Sequence, residues 1–393
     1  MARASAATAR RSFGAAFDPR ANSLNLLRLV FAFVVLLDHC SFLGGFGAND
    51  IGHASTPGTL AVYGFFAISG FLIARSAATS RPGRYLRKRF LRIFPAYWAV
   101  LVVTALMIAP IGYLRGVRPA GCGLDCYLAG PDGPVGYVLR NLSLWVVQQD
   151  ISGTPTGVHL PEVWNGSLWT LAYEFGAYLV LLGLALAGAL RRPPVVLALT
   201  TGLLVVLGVF TIVPTLNENV NAFTQPVFTP ALVLLPLFLT GSCLWLYRER
   251  VPDSGWLAGG LFASAIIVMA LPIGAQVPGY SFTTGGLAAP LLVYPVLWLG
   301  FHLPFVQVGR RHDLSYGVYL YAFPVQQALA MMGVPARGLL AYTVVTTAVV
   351  LVFAAGSWFL IERPAMQLGR NRPVSATSGP THAVPGPNAP ADC

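Results

Sequence analysis

Charge is what this chain has least of. Only 10% of its 393 residues are Asp, Glu, Lys or Arg, against roughly 25% in an average soluble protein. With 55% hydrophobic residues, 25 basic and 14 acidic side chains cannot clothe a water-exposed surface, which excludes a set of soluble domains. Lysine is nearly missing too: Lys88 is the only one. That bias, with abundant Ala, Gly and Pro, fits a GC-rich bacterial coding background. The five cysteines have no metal-ligand spacing, so no metal site is expected. Cys122 and Cys126 are close enough for a small disulfide, or are two free thiols.

What is present is a series of apolar runs, each about 20 residues long, as a membrane-crossing helix requires. They cover 24–43, 59–78, 94–113, 168–190, 194–213, 227–247, 256–273, 284–304, 314–333 and 338–361. An all-α polytopic membrane protein with about ten transmembrane helices follows. The net charge of +11 then reads as cationic flanking of spans, and no nucleic-acid partner is expected. Ten spans with the N-terminus inside put 20 basic residues in inner segments and four, Arg115, Arg118, Arg140 and Arg337, outside. Both termini are therefore expected in the cytoplasm of a bacterium, the protein lying in its inner (plasma) membrane. Residues 1–22 carry Arg3, Arg10, Arg11 and Arg20 without an early apolar core, so they read as a tail and not a signal peptide. Residues 23–366 form the transmembrane domain, and 367–393 a disordered cytoplasmic tail. No internal repeat stands out, which disfavours the repeat-built transporter folds.

Ionisable groups inside spans are costly and mark function by default. Arg28 and His39 share the first span. Eleven residues turn a helix by about 1100°, within about 20° of three full turns, and rise about 16 Å. Both side chains thus project from one face, the cation near the inner edge and the imidazole toward the outer side. That pair suits an elongated anionic ligand whose reactive end meets the histidine, the residue suited to acid–base work near neutral pH. The plain alternative is a snorkelling arginine and a histidine satisfying a helix contact. Asp38 points about 100° away, toward a different helix.

Glu174 lies about two turns inside the fourth span, at a depth like that of His39, and needs a partner there or a proton. A structural buried pair would also account for it. In the inner loop, Arg84, Arg87, Lys88, Arg89 and Arg92 form a basic strip. It either anchors the membrane face on anionic lipid or grips the phosphates of a cytosolic ligand.

Five blocks, in order, resemble the acyltransferase 3 family of integral membrane acyltransferases. They are Leu26-Leu-Arg28 through Leu37-Asp-His39; Gly64-Phe-Phe-Ala-Ile-Ser69-Gly-Phe-Leu-Ile73; Arg87-Lys-Arg-Phe-Leu-Arg92-Ile-Phe-Pro-Ala-Tyr-Trp98; Ser167-Leu-Trp169-Thr-Leu-Ala-Tyr-Glu174; and Ser315-Tyr-Gly-Val-Tyr319-Leu-Tyr-Ala-Phe-Pro324 with Ile361-Glu-Arg-Pro364. The resemblance implies acyl transfer from a cytoplasmic donor, acyl-CoA as a substrate with no permanently bound cofactor, to a hydroxyl of a surface glycan, glycolipid or glycosylated metabolite. It makes His39 the catalytic base and places Glu174 in the family's fourth-span motif; a catalytic role for Glu174, orienting the imidazole as a carboxylate does in a triad, is this reading's own expectation. Arg28, Arg89 and Arg92 serve the donor, and Ser69, Trp169 and Tyr319 stand on the substrate side. Ser69 is either a small residue for helix packing or an acyl relay.

Two departures from the family pattern stand out. Ala322 occupies a position where many members carry histidine, taken here as accessory, and no esterase-type domain follows, so transfer is expected to finish within the membrane domain. The rival reading is a secondary transporter or flippase using Arg28, His39 and Glu174 as a polar relay. A receptor or scaffold is the third.

Overall fold

The computed structural model describes residues 11–47, 55–115, 123–130, 132–271 and 284–369. Among them no strand forms beyond isolated bridges, and long helices follow the apolar runs. These are α1 (Leu24–Leu43), α2 (Pro57–Thr79), α3 (Pro82–Val103), α4 (Trp169–Leu186), α5 (Pro193–Ile212), α6 (Pro214–Leu246), α7 (Gly255–Ala270), α8 (Thr284–His302), α9 (Ser315–Met331) and α10 (Leu339–Ser357). The protein is an all-α polytopic membrane protein. Seven helices among the described residues are long and apolar enough to cross a bilayer. The apolar parts of α6 and α7, Pro230–Leu246 and Gly255–Ala270, are shorter, and α9 has 17 residues. Among the described residues, seven is thus the count that length and composition support, and the expected ten is not confirmed.

Local chemistry fixes several starts. Thr56 caps α2, its hydroxyl accepting from the Thr59 amide, with Pro57 at the first helical position, where a missing N–H costs nothing. Ser254 caps α7 in the same way. Small residues then set the crossings. A Cβ on Gly70 of α2 would lie 1.9 Å from the Phe238 carbonyl oxygen of α6. One on Gly241 would lie 2.4 Å from that of Ala67. The two backbones meet only because both side chains are absent, the close-approach logic of membrane helices. Ser242 seals the crossing by donating to the Gly70 carbonyl at 3.0 Å. The small residue that this crossing demands in Ser69-Gly70-Phe71 is thus the glycine.

Helix α9 lies at the centre, with every residue from Ser315 to Leu329 buried. It packs on α1 and α10, while α2 packs on α1 and α6. The segment after α3 folds over one end of this group. Asn141 organises it, its side chain accepting from the Val147 and Gln148 amides and donating to the Gln148 carbonyl. Gln327 of α9 ties it down by donating to the carbonyls of Leu160 and Val163, each at 2.7 Å.

The segment 1–22 is no free tail in its second half. A short helical turn, Phe13–Ala16, is capped by Ser12. Phe13 is fully buried, stacked on Tyr294 at 4.8 Å and meeting Phe71 edge-on. An aromatic ring with an apolar slot in reach gains more by burial than by solvation. Cys126 is in a disulfide, whereas Cys122 lies outside the described residues, as do Arg3, Arg10, Arg118 and the tail from 370 onward.

Candidate active site

Four helices carry the chemistry at matching depths. On α1, Arg28 and His39 share a face. On α2, Thr59 and Val62 sit above Phe65 and Phe66. On α4, Thr170 stands one turn from Glu174, and on α9 Ser315, Tyr319 and Phe323 repeat at the four-residue spacing of one helix face. Together they line a cavity and a waist, and a separate basin opens between α3, the loop before α9 and the segment after α10.

The cavity, about 780 Å³, takes in Asp38, His39, Ser167, Trp169, Thr170, Tyr319 and Phe323 beneath the folded segment after α3. The His39 ring meets the Phe323 ring edge-on at 5.2 Å, and its Nδ1 is buried with no hydrogen-bond partner. The Ser167 hydroxyl is likewise unpartnered. Asp38 turns toward the next helix as its angle required: it accepts from the Thr56 hydroxyl at 2.7 Å. Gly58 makes room for it, since a Cβ there would lie 2.5 Å from a carboxylate oxygen.

Below the cavity a waist of about 40 Å³ is lined by Arg28, Phe65, Phe66, Leu171, Glu174, Ser315 and Tyr316. It shares Val62, Thr170 and Tyr319 with the cavity. Glu174 accepts from the Ser69 hydroxyl at 3.2 Å and from the Tyr178 phenol in a short bond. An orienting bond from Glu174 to His39 is therefore not made. The carboxylate faces the waist, one turn too deep, and its near oxygen is held by α2 and α4. Ser69 stands behind Glu174 and outside the linings of cavity and waist, so it is a partner of that carboxylate more than a substrate contact. Trp169 and Tyr319 do line the cavity.

The basin, about 610 Å³, lies at the end bearing the basic strip. Its walls hold Lys88, Arg89 and Arg92 of α3, Arg310, Arg311 and His312 of the loop before α9, and Arg363. Arg92 is clamped by Asp313 at 2.8 Å and Glu362 at 3.6 Å, over the Tyr316 ring at 5.5 Å. Arg28 shares the same Asp313 oxygen at 3.8 Å, so one carboxylate joins an arginine of the basin to an arginine of the waist. The other oxygen of Asp313 accepts from the Ser315 hydroxyl at 2.6 Å. Burial alone would raise the Asp313 pKa, but the guanidinium groups of Arg92 and Arg28 and the Ser315 bonds bring it down to about 2. Arg89 forms no ion pair among the described residues; its guanidinium lies 5.8 Å from the Tyr178 ring centre and 6.0 Å from that of Tyr85. Glu362 reaches Arg92 from a π-helical turn, Trp358–Glu362, that continues α10, an insertion frequent at functional sites. Arg84 and Arg87 of the strip stay exposed, Arg87 donating to the Leu368 carbonyl.

The sequence reading missed Asp313 and Thr170, and counted Arg310, Arg311 and Arg363 as topology alone. A carboxylate two residues before the Ser315 motif was the available signal for the first. Nothing marked Thr170 as special until both compartments were seen to share it.

A family model described as an acyltransferase domain matches residues 21–361, which hold the cavity, the waist and the α3 side of the basin. The chain belongs to the acyltransferase 3 family. It is a membrane acyltransferase. Nodulation protein 10 of Rhizobium leguminosarum bv. viciae is 30% identical over 372 residues, covering 88% of this chain and 94% of that protein. The O-acetyl transferase of Shigella phage Sf6 is 25% identical over 88% of this chain and 96% of its own. Exopolysaccharide production protein ExoZ of Rhizobium meliloti (strain 1021) is 30% identical over 84% of this chain and 96% of its own. No solved structure matches the chain. Within this acyltransferase the matched region contains Arg28, His39, Ser69, Arg89, Arg92, Trp169, Glu174 and Tyr319.

Proposed function

We propose that this acyltransferase moves an acetyl or other short acyl group from cytoplasmic acyl-CoA to a hydroxyl of a surface glycan, glycolipid or glycosylated metabolite. The observation that carries the reading is the series of compartments, a basic basin at one end and an uncommitted histidine in a roomy cavity at the other. The relatives named for O-acetyl transfer and exopolysaccharide production support a carbohydrate acceptor and O-acylation. The excess of basic residues at the basin end supports placing that end in the cytoplasm of a bacterial inner membrane.

In this reading the donor phosphates rest in the basin on Arg89 and Arg92, where guanidinium forks suit them. Arg28 meets the donor where its arm enters the waist, and Glu174 on the opposite wall confines the arm to that path. The rise of about 16 Å from Arg28 to His39 matches an extended arm that carries a thioester up to the cavity. An acceptor hydroxyl loses its proton to His39, its oxygen attacks the thioester carbon, and the C–S bond breaks. The thiolate leaves with that proton as a thiol. A transporter would use Arg28, His39 and Glu174 as a relay, but family membership favours the enzyme.

The test uses purified protein in nanodiscs with acetyl-CoA and an oligosaccharide acceptor. Thiol release matched by acetylated acceptor in mass spectrometry is the expected outcome; neither product from any acyl-CoA would contradict the reading. Arg89→Gln is expected to raise the KM for acetyl-CoA about tenfold or more at little-changed kcat. A charge-assisted hydrogen bond contributes about 1.5–3 kcal/mol, and no carboxylate is left unpaired by this change. Steady-state thiol release at varied donor checks it.

A further inference from the structure

The proposed function brings two substrates to the protein from opposite ends, so the bond between them must form where the compartments meet. Three residues line both the cavity and the waist: Val62, Thr170 and Tyr319. Two of these are hydroxyl-bearing. The Tyr319 phenol and the Thr170 hydroxyl lie 2.6 Å apart. Tyr319 donates to the Ser167 carbonyl at 2.9 Å, and Thr170 reaches the same carbonyl at a long 3.4 Å. The pair thus has two protons, one given within the pair and one to the Ser167 carbonyl.

Tyr319 also lies close to the base. It stands one helical turn from Phe323 on the same face of α9, and the Phe323 ring touches His39. Thr170 stands one turn from Glu174 on α4 in the opposite wall. The two hydroxyls are therefore delivered by different helices to one point in the wall of the cavity that His39 also lines. Their ring and chain are fixed: Tyr319 meets Phe65 edge-on at 5.9 Å, and both residues are buried.

We propose that Thr170 and Tyr319 form the oxyanion site of the acyl transfer. When the acceptor oxygen adds to the thioester carbon, the carbonyl π electrons move onto its oxygen, which becomes a full anion. The two hydroxyls swing from each other and from the Ser167 carbonyl to donate to that oxygen. Collapse of the intermediate returns the electron pair to the C=O bond and breaks the C–S bond. The proton held by His39 passes to the departing sulfur. Hydrogen-bond donors are worth most where charge appears during the reaction. The inference rests on the acyltransferase reading above and adds two catalytic residues to it.

The test measures kcat and both KM values for thiol release and acceptor acylation in nanodiscs, for Tyr319→Phe, Thr170→Val and Thr170→Ser. Phe keeps the ring that packs on Phe65, and Val keeps the volume of Thr, so folding is spared; thermal unfolding confirms it. Loss of one donor is expected to lower kcat about 100-fold with both KM values within about threefold, and Thr170→Ser to recover most of the rate. Retained kcat in Tyr319→Phe and Thr170→Val, or an effect confined to KM, overturns the oxyanion assignment. His39→Ala separates the two levels. If wild type transfers and His39→Ala does not, the acyltransferase reading stands whatever the hydroxyl variants do. If wild type transfers nothing, that reading falls first.

Discussion

His39→Ala is expected to end acyl transfer while leaving the donor bound. The imidazole is the basic side chain of the cavity, its Nδ1 is without a partner, and Phe323 holds its ring by an edge contact. A positioned general base contributes about 10²–10⁴-fold to rate, so kcat should fall by at least that lower figure. Arg28 lies about three helical turns away along α1, the basin arginines stand on other elements, and all are untouched. Acetyl-CoA titration in nanodiscs should therefore return the wild-type affinity alongside the lost turnover. A variant that acylates at the wild-type rate contradicts the assignment. So does one that has lost donor binding with its turnover, since that would point to a role in structure. Asp38→Asn separates the neighbours: its carboxylate serves the Thr56 cap, so it should alter stability more than pH dependence.

Asp313→Asn carries the second large effect, and it acts first on stability. One carboxylate oxygen neutralises both Arg28 and Arg92. Without its charge, two half-buried guanidinium groups face each other with Glu362 as the remaining acid beside Arg92. Breaking a buried pair by removing one partner costs about 3–5 kcal/mol, so thermal unfolding should shift down by many degrees. In the proposed reading a polyanionic donor supplies the missing charge, so acetyl-CoA should restore more stability to Asp313→Asn than to the wild type. Equal donor stabilisation of both proteins would contradict the idea that the donor phosphates meet these arginines. The pH sign follows from the lowered pKa. A carboxyl group held at about 2 in the folded protein and near 3.9 when unfolded gives its full stabilisation above about pH 4. It loses that contribution as pH falls toward 2.

The all-α membrane architecture was legible because apolar runs of bilayer length need no tertiary information. So was the shared face of Arg28 and His39, since helical geometry alone fixes the angle between residues of one helix. Depth was legible less well. Glu174 was expected beside His39, but an angle and a rise on α1 say nothing about how far α4 slides past it. The slide is set by where Ser69 and Tyr178 meet the carboxylate. Asp313 escaped notice because it lies in a loop, where charges are ordinary. Only the approach of α1, α3 and the start of α9 gives it two arginines at once. The tail before α1 looked free because its arginines are frequent and two phenylalanines, Phe13 and Phe17, are too few to make a periodic signal. Among the described residues seven helices are long and apolar enough to cross a bilayer, and α9, wrapped by protein along nearly its whole length, answers to neighbours as much as to lipid.

Donor and acceptor are proposed to enter from opposite faces and to meet at Thr170 and Tyr319 in the cavity that His39 lines. Proteoliposomes test this most directly, with acetyl-CoA trapped in the lumen and a membrane-impermeant oligosaccharide added outside. Molecules whose basin faces the lumen should acetylate the external acceptor while the free thiol accumulates inside. Acetylated acceptor that forms only when both substrates share one side of the membrane would contradict the account.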